Sequence, residues 1–320
     1  MNAIVWHGGG DLRYEAVDDP APDAGHVVVD VRLAGVCGSD LHPLRGHHGP
    51  RVPPLILGHE LVGTVPGREG RYVVFPLVSC GRCPACARGE EYLCHHRGLL
   101  GLDRPGAFAE RVAVGEDALI RVPDGVSDRL AVLAEPLATA IAALRLERLP
   151  RDSDLAIIGC GPIGLLAVHV AKVAGHRVTA VEPLASRRDL ASAFGADTTL
   201  ADAALLLDGA FDAAIDAVGM EITLSSALRA IRPGGSVGLV GLGDAHADVD
   251  LADVVRRGLR LRGHYAYARD DFETALALLE REPIGDEWLT FVDLPDTAGG
   301  IRRLLDAPDE TTKVVLEVGS

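Results

Sequence analysis

The pattern of apolar and polar positions changes near residue 150. Before that point the apolar runs are short and broken. Residues 27–33, Val-Val-Val-Asp-Val-Arg-Leu, alternate in part and are rich in β-branched side chains, which predicts a strand. Pro and Gly punctuate 19–25, 46–54 and 63–70, so loops dominate there. A helix is expected over 128–147, with Ser127 as its N-cap. Beyond Leu149 and Pro150, strands and helices alternate. Leu155-Ala156-Ile157-Ile158 is an apolar strand of the kind buried in parallel sheets. Helix 162–174, strand 177–182, helix 185–194, strand 211–216, helix 221–230 and strand 235–240 follow, then strand 259–263 and helix 270–282. Repeated βα units imply a doubly wound parallel sheet with right-handed crossovers. Segment 200–210 is short for a full crossover helix. The tail holds a helix at 297–306 and a strand at 313–318. The fold expected is α/β in two domains, with 1–149 and 286–320 forming one and 150–285 the other.

Charge and composition narrow the function. Lys and Arg total 31 against 46 Asp and Glu, a net charge of -15, which opposes a nucleic-acid or anionic-membrane partner. Four arginines, Arg256, Arg257, Arg260 and Arg262, read as a solvated edge strand rather than a DNA-binding patch. The N-terminus lacks a basic region followed by a long apolar stretch, and no apolar run is long enough to span a membrane. The expectation is a cytoplasmic protein.

Two motifs carry chemistry. Cys80, Cys83, Cys86 and Cys94 place four thiols on one short loop, with Gly81 and Pro84 suited to its turns. Four soft donors at this spacing point to a closed, structural zinc; an iron–sulfur cluster or free thiols are the alternatives. Gly159-Cys160-Gly161-Pro162-Ile163-Gly164 follows the apolar strand and opens a helix, the arrangement that cradles a dinucleotide pyrophosphate. Glu182 closes the next strand, where a carboxylate binds ribose hydroxyls and repels a 2′-phosphate, so NAD(H) is favoured over NADP(H). Arg187 and Arg188 stand close by and weaken that preference. Cys160 reads as a small packed residue.

A second constellation is scattered along the chain. Cys37 lies in Gly35-Val36-Cys37-Gly38-Ser39-Asp40-Leu41-His42, His59 and Glu60 follow Gly58, and Glu135 precedes Pro136 and Leu137. Composition alone does not assemble these residues. Together with the cysteine lobe and the glycine loop, however, the set resembles the zinc-dependent medium-chain dehydrogenase/reductase family, closest to its sorbitol and threonine dehydrogenase branch. The likeness runs over almost the whole chain.

That resemblance implies a Rossmann domain joined to a mostly-β, GroES-like catalytic domain with a structural zinc lobe, and two Zn2+ per chain. Cys37, His59 and either Glu135 or Glu60 would hold the catalytic zinc. Ser39 and His42 match the family's proton relay, and an imidazole with a pKa of about 6.5 suits its last step. Thr139 and Ile163 match positions that pack against the nicotinamide; Asp216 and Gly219 end a strand at the cofactor crevice. The implied reaction is hydride transfer between NAD(H) and a secondary alcohol or ketone: a polyol, sugar, aminocyclitol or hydroxy-amino-acid. A homodimer or homotetramer is implied likewise. The polar loop Arg45-Gly46-His47-His48 suits a polar substrate, while His47, His48, His95 and His96 match no family role and read as surface residues. The chain departs from the family in running quickly from Gly63-Thr64-Val65 to Gly70-Arg71-Tyr72-Val73, without the usual aspartate. Two alternatives stand beside this reading: an NADPH-dependent carbonyl reductase, and a non-catalytic, zinc-stabilised dinucleotide sensor that would not need Cys37, His59, Glu135 and Ser39 together.

Overall fold

A computed structural model describes residues 1–46 and 49–319, so His47 and His48 lie outside the described residues. The chain divides into two compact units, Met1–Glu135 with Ala268–Ser320, and Pro136–Tyr267.

The first unit is built on a seven-stranded sheet. Strand His26–Gly35 lies within it, paired antiparallel to Glu60–Thr64, to Arg111–Gly115 and to the C-terminal strand Lys313–Glu317. Leu289–Asp293 and Lys313–Glu317 pair in parallel. Val29, Val31, Trp6, Phe108, Val314 and Leu316 fill the core beneath this sheet, each almost wholly removed from water. A two-stranded ribbon, Leu77–Val78 with Leu99 and Gly98, carries the cysteine loop.

The second unit is a six-stranded, all-parallel sheet. In spatial order its strands are Thr198–Leu200, Arg177–Val181, Asp154–Ile158, Phe211–Asp216, Ile231–Leu239 and Arg260–Gly263. In chain order that is 3-2-1-4-5-6, the doubly wound arrangement with its switch point between Asp154–Ile158 and Phe211–Asp216. Ala156, Ile157, Ile158, Ala214 and Ile215 are buried, as strands covered on both faces require. Helices Pro162–Val173, Ala185–Ala193 and Glu221–Ala230 fall where the apolar periodicity puts them. Between Thr198–Leu200 and Phe211–Asp216 the crossover has only the short 3-10 turn Ala203–Leu205, in keeping with the brevity of that segment.

Three expectations are corrected. The helix at 128–147 is two helices, Asp128–Ala131 and Ala134–Glu147, with Ser127 Oγ accepting from Leu130 N–H at the first. The domain boundaries shift: helix Arg269–Arg281 belongs to the first unit, where Phe272 meets Phe75 edge-on at 5.8 Å, while 136–149 belong to the second. Of the four arginines assigned to an edge strand, only Arg260 and Arg262 lie on one. Arg256 and Arg257 end helix Leu251–Arg257, where Arg257 donates to the carbonyls of Leu228 and Ile231. Among the described residues no helix is long and apolar enough to cross a membrane.

Candidate functional site

The cysteine loop brings its four thiols together. The sulfurs of Cys83 and Cys86 are 3.5 Å apart, as are those of Cys80 and Cys94, and Cys80 and Cys86 are 4.0 Å apart. A regular tetrahedron with Zn–S bonds of about 2.3 Å has edges of about 3.8 Å, so the thiols already stand at zinc spacing. The backbone explains how. Gly81 adopts φ +67°, and Pro84 opens the short helix Pro84–Ala87 from Cys83. The Cys86 N–H acts on the Cys83 sulfur and pulls its pKa down to about 6, which favours the thiolate a metal needs. None of the four is in a disulfide.

Cys37, His59 and Glu60 form a second group, their ligand atoms all within 4.8 Å of one another. They arrive on two pieces of backbone. Cys37 is the N-cap of the short helix Gly38–Leu41, while His59 and Glu60 lead into strand Glu60–Thr64. Gly58 precedes them at φ +93°, in a turn packed so closely on Phe108 that a Cβ would sit 2.4 Å from its ring. Asp40, fully buried, ties the two loops together. Its carboxylate accepts from Cys37 N–H at 3.0 Å and from Gly58 N–H at 3.4 Å, and stands 3.7 Å from His59 Nδ1. Buried Arg51 lies 4.0 Å away and donates to the Gly101 carbonyl.

Of the two glutamates left open, Glu60 is in this group and Glu135 is not. Glu60 is 1% exposed and ion-paired to Lys313, 2.7 Å from Oε1 and 2.5 Å from Oε2. Glu135 is half-buried near the start of helix Ala134–Glu147, close enough that its charge helps raise the Lys313 pKa. Burial pushes the Cys37 thiol up to about 11, reinforced by the charges of Glu60 and Asp40. A divalent cation reverses that cost by binding the thiolate, so cysteine, histidine and carboxylate donors held this close, in this depth of burial, fit a zinc with room for a further ligand. Ser39, on the same short helix as Asp40, is half-buried with its hydroxyl against the Cys37 thiol, and half-buried His42 follows one turn later.

In the second unit, the glycine loop has the required shape. Gly159 takes φ +88°, where a Cβ would strike Val218 at 2.4 Å; a Cβ on Gly164 would meet the Gly159 carbonyl oxygen at 1.7 Å. Nothing lies within 4 Å of the Cβ position of Gly161, which leaves that backbone open to a phosphate. Pro162 and Ile163 begin helix Pro162–Val173. Glu182 is buried just beyond strand Arg177–Val181, its oxygens accepting from Cys160 N–H at 2.9 Å and Leu184 N–H at 3.1 Å. This fixes the carboxylate beside the loop. Arg188 is engaged by the carbonyls of Glu182 and Pro183, and Arg187 acts on Cys160, whose thiol burial pushes up to about 12. Asp216 accepts from Val218 N–H, Gly219 N–H and Thr223 Oγ, so it shapes the turn at Gly219. Thr139 is half-buried on helix Ala134–Glu147. His95 and His96 are exposed.

Sequence reasoning passed over Asp40, Arg51 and Lys313. The available signal was a lysine opening the otherwise apolar run Lys313-Val314-Val315-Leu316. Asp40 stood in view between Ser39 and His42, with nothing to mark its partners.

Comparison with known proteins agrees with this architecture. Residues 23–124 match the alcohol dehydrogenase GroES-like domain and residues 162–281 match the zinc-binding dehydrogenase family. The chain is 32% identical to a 2-dehydro-3-deoxy-L-galactonate 5-dehydrogenase of Pseudoalteromonas atlantica, covering 91% of this chain and 94% of the relative. It is 31% identical to the (R,R)-butanediol dehydrogenase of Bacillus subtilis, covering 88% of each. The solved structure of acetophenone reductase from Geotrichum candidum, in complex with NAD, superposes with a TM-score of 0.90 at 28% identity, over 99% of this chain and 96% of that one. The chain therefore belongs to the zinc-dependent alcohol dehydrogenases of the medium-chain dehydrogenase/reductase family and is an oxidoreductase acting on CH–OH groups.

Proposed function

We propose that this enzyme oxidises a polar secondary alcohol, or reduces the matching ketone, with NAD(H) and two zinc ions per chain. The convergence of Cys37, His59 and Glu60 in one buried group carries the reading, because neither packing nor dinucleotide binding needs it. Cys37, His59 and Glu60 would hold the catalytic zinc, and Cys80, Cys83, Cys86 and Cys94 the structural one. Bound there, zinc would supply the Lewis acidity that lowers the pKa of the substrate hydroxyl, and the nicotinamide would supply the hydride acceptor. The chain supplies the rest. Ser39 Oγ takes the hydroxyl proton as it gives up its own, and the His42 imidazole accepts that proton and passes it to water. Asp40 keeps Cys37 and His59 in register. The Gly159, Gly161 and Gly164 backbone and the first turn of helix Pro162–Val173 bind the pyrophosphate, with Thr139 and Ile163 against the nicotinamide. Glu182 and Arg187 hold the adenosine ribose, with the carboxylate disfavouring a 2′-phosphate.

Relatives that act on a sugar acid and on butanediol support a polyhydroxylated or vicinal-hydroxyl substrate. Four reduced thiols suit the cytoplasm, and a homodimer or homotetramer is the assembly we propose. The test is NADH formation from NAD+ across polyols, sugar acids, aminocyclitols and β-hydroxy amino acids, with zinc counted per chain. Turnover, abolished by Cys37→Ser together with one zinc, supports the reading. Turnover or a zinc count that survives this change overturns the assignment of the site.

A further inference from the structure

Arg51 is an arginine buried to 7% exposure, and its guanidinium spans two parts of the first unit. Nε donates to the Gly101 carbonyl at 3.0 Å, and Nη2 stands 4.0 Å from Asp40 Oδ1. Each end leads toward a different one of the two proposed metal sites. Asp40 accepts from Cys37 N–H and Gly58 N–H and lies 3.7 Å from His59 Nδ1, so it meets both loops that bring Cys37 and His59 together. Gly101 belongs to the turn that continues the ribbon of the cysteine loop. Strand Leu77–Val78 runs into Cys80, and its partner Gly98–Leu99 follows Cys94. Leu100 N–H then reaches back to the Pro76 carbonyl at 3.2 Å, and Gly101 N–H to the Arg104 carbonyl at 2.9 Å. The same turn presses on the residue before His59: at φ +68°, a Cβ on Gly101 would fall 2.5 Å from the Gly58 nitrogen.

This ribbon pairs only Leu77 with Leu99 and Val78 with Gly98, and a two-stranded ribbon so short is marginal on its own in water. Its two strands flank the loop of four thiols, so a metal that draws those thiols together would fix the ribbon and, with it, the Gly101 carbonyl. Were that carbonyl to move, a buried guanidinium would lose an acceptor and re-orient, and the buried Asp40 carboxylate would lose a fixed counter-charge. Resting on the reading that Cys37, His59 and Glu60 hold one metal and the four thiols another, we propose that Arg51 is a positioning residue that couples the two sites, so that metal in the thiol lobe tightens metal binding at Cys37 and His59 through Gly101, Arg51 and Asp40. The planar guanidinium reaches two acceptors at a fixed spacing, which a lysine ammonium, a compact point charge on a flexible stem, does not. Arg51→Lys therefore keeps the charge beside Asp40 and gives up the bridge.

The test is a double-mutant cycle on the full-length chain, read as zinc affinity by chelator competition. Cys83→Ser empties the thiol lobe. The Cys37-dependent zinc then stays bound with affinity lowered about tenfold, the ordinary size of a coupling between sites. In the Arg51→Lys background the same change should move it by no more than about twofold, the margin within which independent sites add. Coupling is reciprocal, so the cycle is also read in the other direction: Cys37→Ser should weaken zinc binding by the thiol lobe by the same factor, and Arg51→Lys should abolish that effect too. A remaining zinc held within about twofold of its wild-type affinity when the other site is empty overturns the proposal, whether or not Arg51→Lys folds. Coupling of equal size with Arg51 and with Lys at this position also overturns it. The zinc counts separate the two levels. If Cys37→Ser or Cys83→Ser keeps both zincs, the metal reading fails and the inference with it. If each loses one zinc and the other is held as tightly as before, the inference alone fails.

Discussion

Replacing Asp40 by alanine removes a carboxylate that both loops of the proposed metal site depend on. It is fully buried, accepts from Cys37 N–H at 3.0 Å and Gly58 N–H at 3.4 Å, and lies 4.0 Å from the buried Arg51 guanidinium. Two buried N–H groups left without this acceptor cost about 1–3 kcal/mol each. Taking one partner from a buried ion pair costs about 3–5 kcal/mol by itself. The 4.0 Å separation makes this a loose pair, so the two estimates overlap rather than add, and about 3–5 kcal/mol is expected. For a unit of this size that lowers the melting temperature by roughly 6–20 °C. Because the lost bonds adjoin Cys37 and His59, zinc affinity at that site should also fall about ten- to a hundredfold. Differential scanning calorimetry and zinc counts before and after dialysis against a weak chelator read both effects. Asp40→Ala that melts within about 2 °C of wild type and keeps both zincs would refute the argument.

Other residues offer independent checks. Gly164→Ala drives a methyl group into the Gly159 carbonyl, 1.7 Å from the new Cβ, so NAD+ binding by calorimetric titration should be lost, with about 1–3 kcal/mol of overpacking; wild-type affinity would contradict this account of the loop. Cys83→Ser should release one zinc per chain and loosen the lobe, seen as faster proteolysis around residues 80–94, while the zinc dependent on Cys37 remains. In the second unit, burial alone would raise the Glu147 pKa, but the hydrogen bond and charge of His264, 2.8 Å away, hold it below the ordinary 4.5. A lowered carboxylate stabilises above its unfolded pKa and loses that contribution as pH falls through its folded value. Urea midpoints of Glu147→Gln should therefore fall below wild type near neutral pH and converge with it below pH 4.5; a constant gap across that window would exclude the linkage.

The second unit was legible because its order is local. Each buried strand is a short apolar run, each helix an amphipathic segment, and the doubly wound topology follows from their alternation. The glycine loop and cysteine lobe were equally readable, since their residues lie close in sequence. The division of helix 128–147 was hidden because Val132 and Leu133 at the break are apolar and buried, and so continue the helical pattern. Lys313 was hidden by distance: its partner Glu60 lies 253 residues away, and a single cation opening an apolar strand carries no sign of its counter-ion. Arg269–Arg281 was assigned to the wrong unit because amphipathicity shows that a helix has a buried face without showing what it covers.

The placement of the C-terminal strand bears on how the molecule is made. Lys313–Glu317 lies inside the sheet of the first unit, between His26–Gly35 and Leu289–Asp293. The second unit is continuous in sequence and leaves the ribosome while the sheet of the first still lacks this strand. Until Lys313–Glu317 emerges, strand His26–Gly35 has an open edge where that strand will pair, and Glu60 waits without its counter-ion. The unit synthesised first is thus the one completed last, and arrested nascent chains should show protease protection of 136–267 before that of 1–135. Synthesis and assembly of the proposed metal site are coupled through strand Lys313–Glu317: a product lacking it would expose an unpaired sheet edge and present itself for degradation before that site could form.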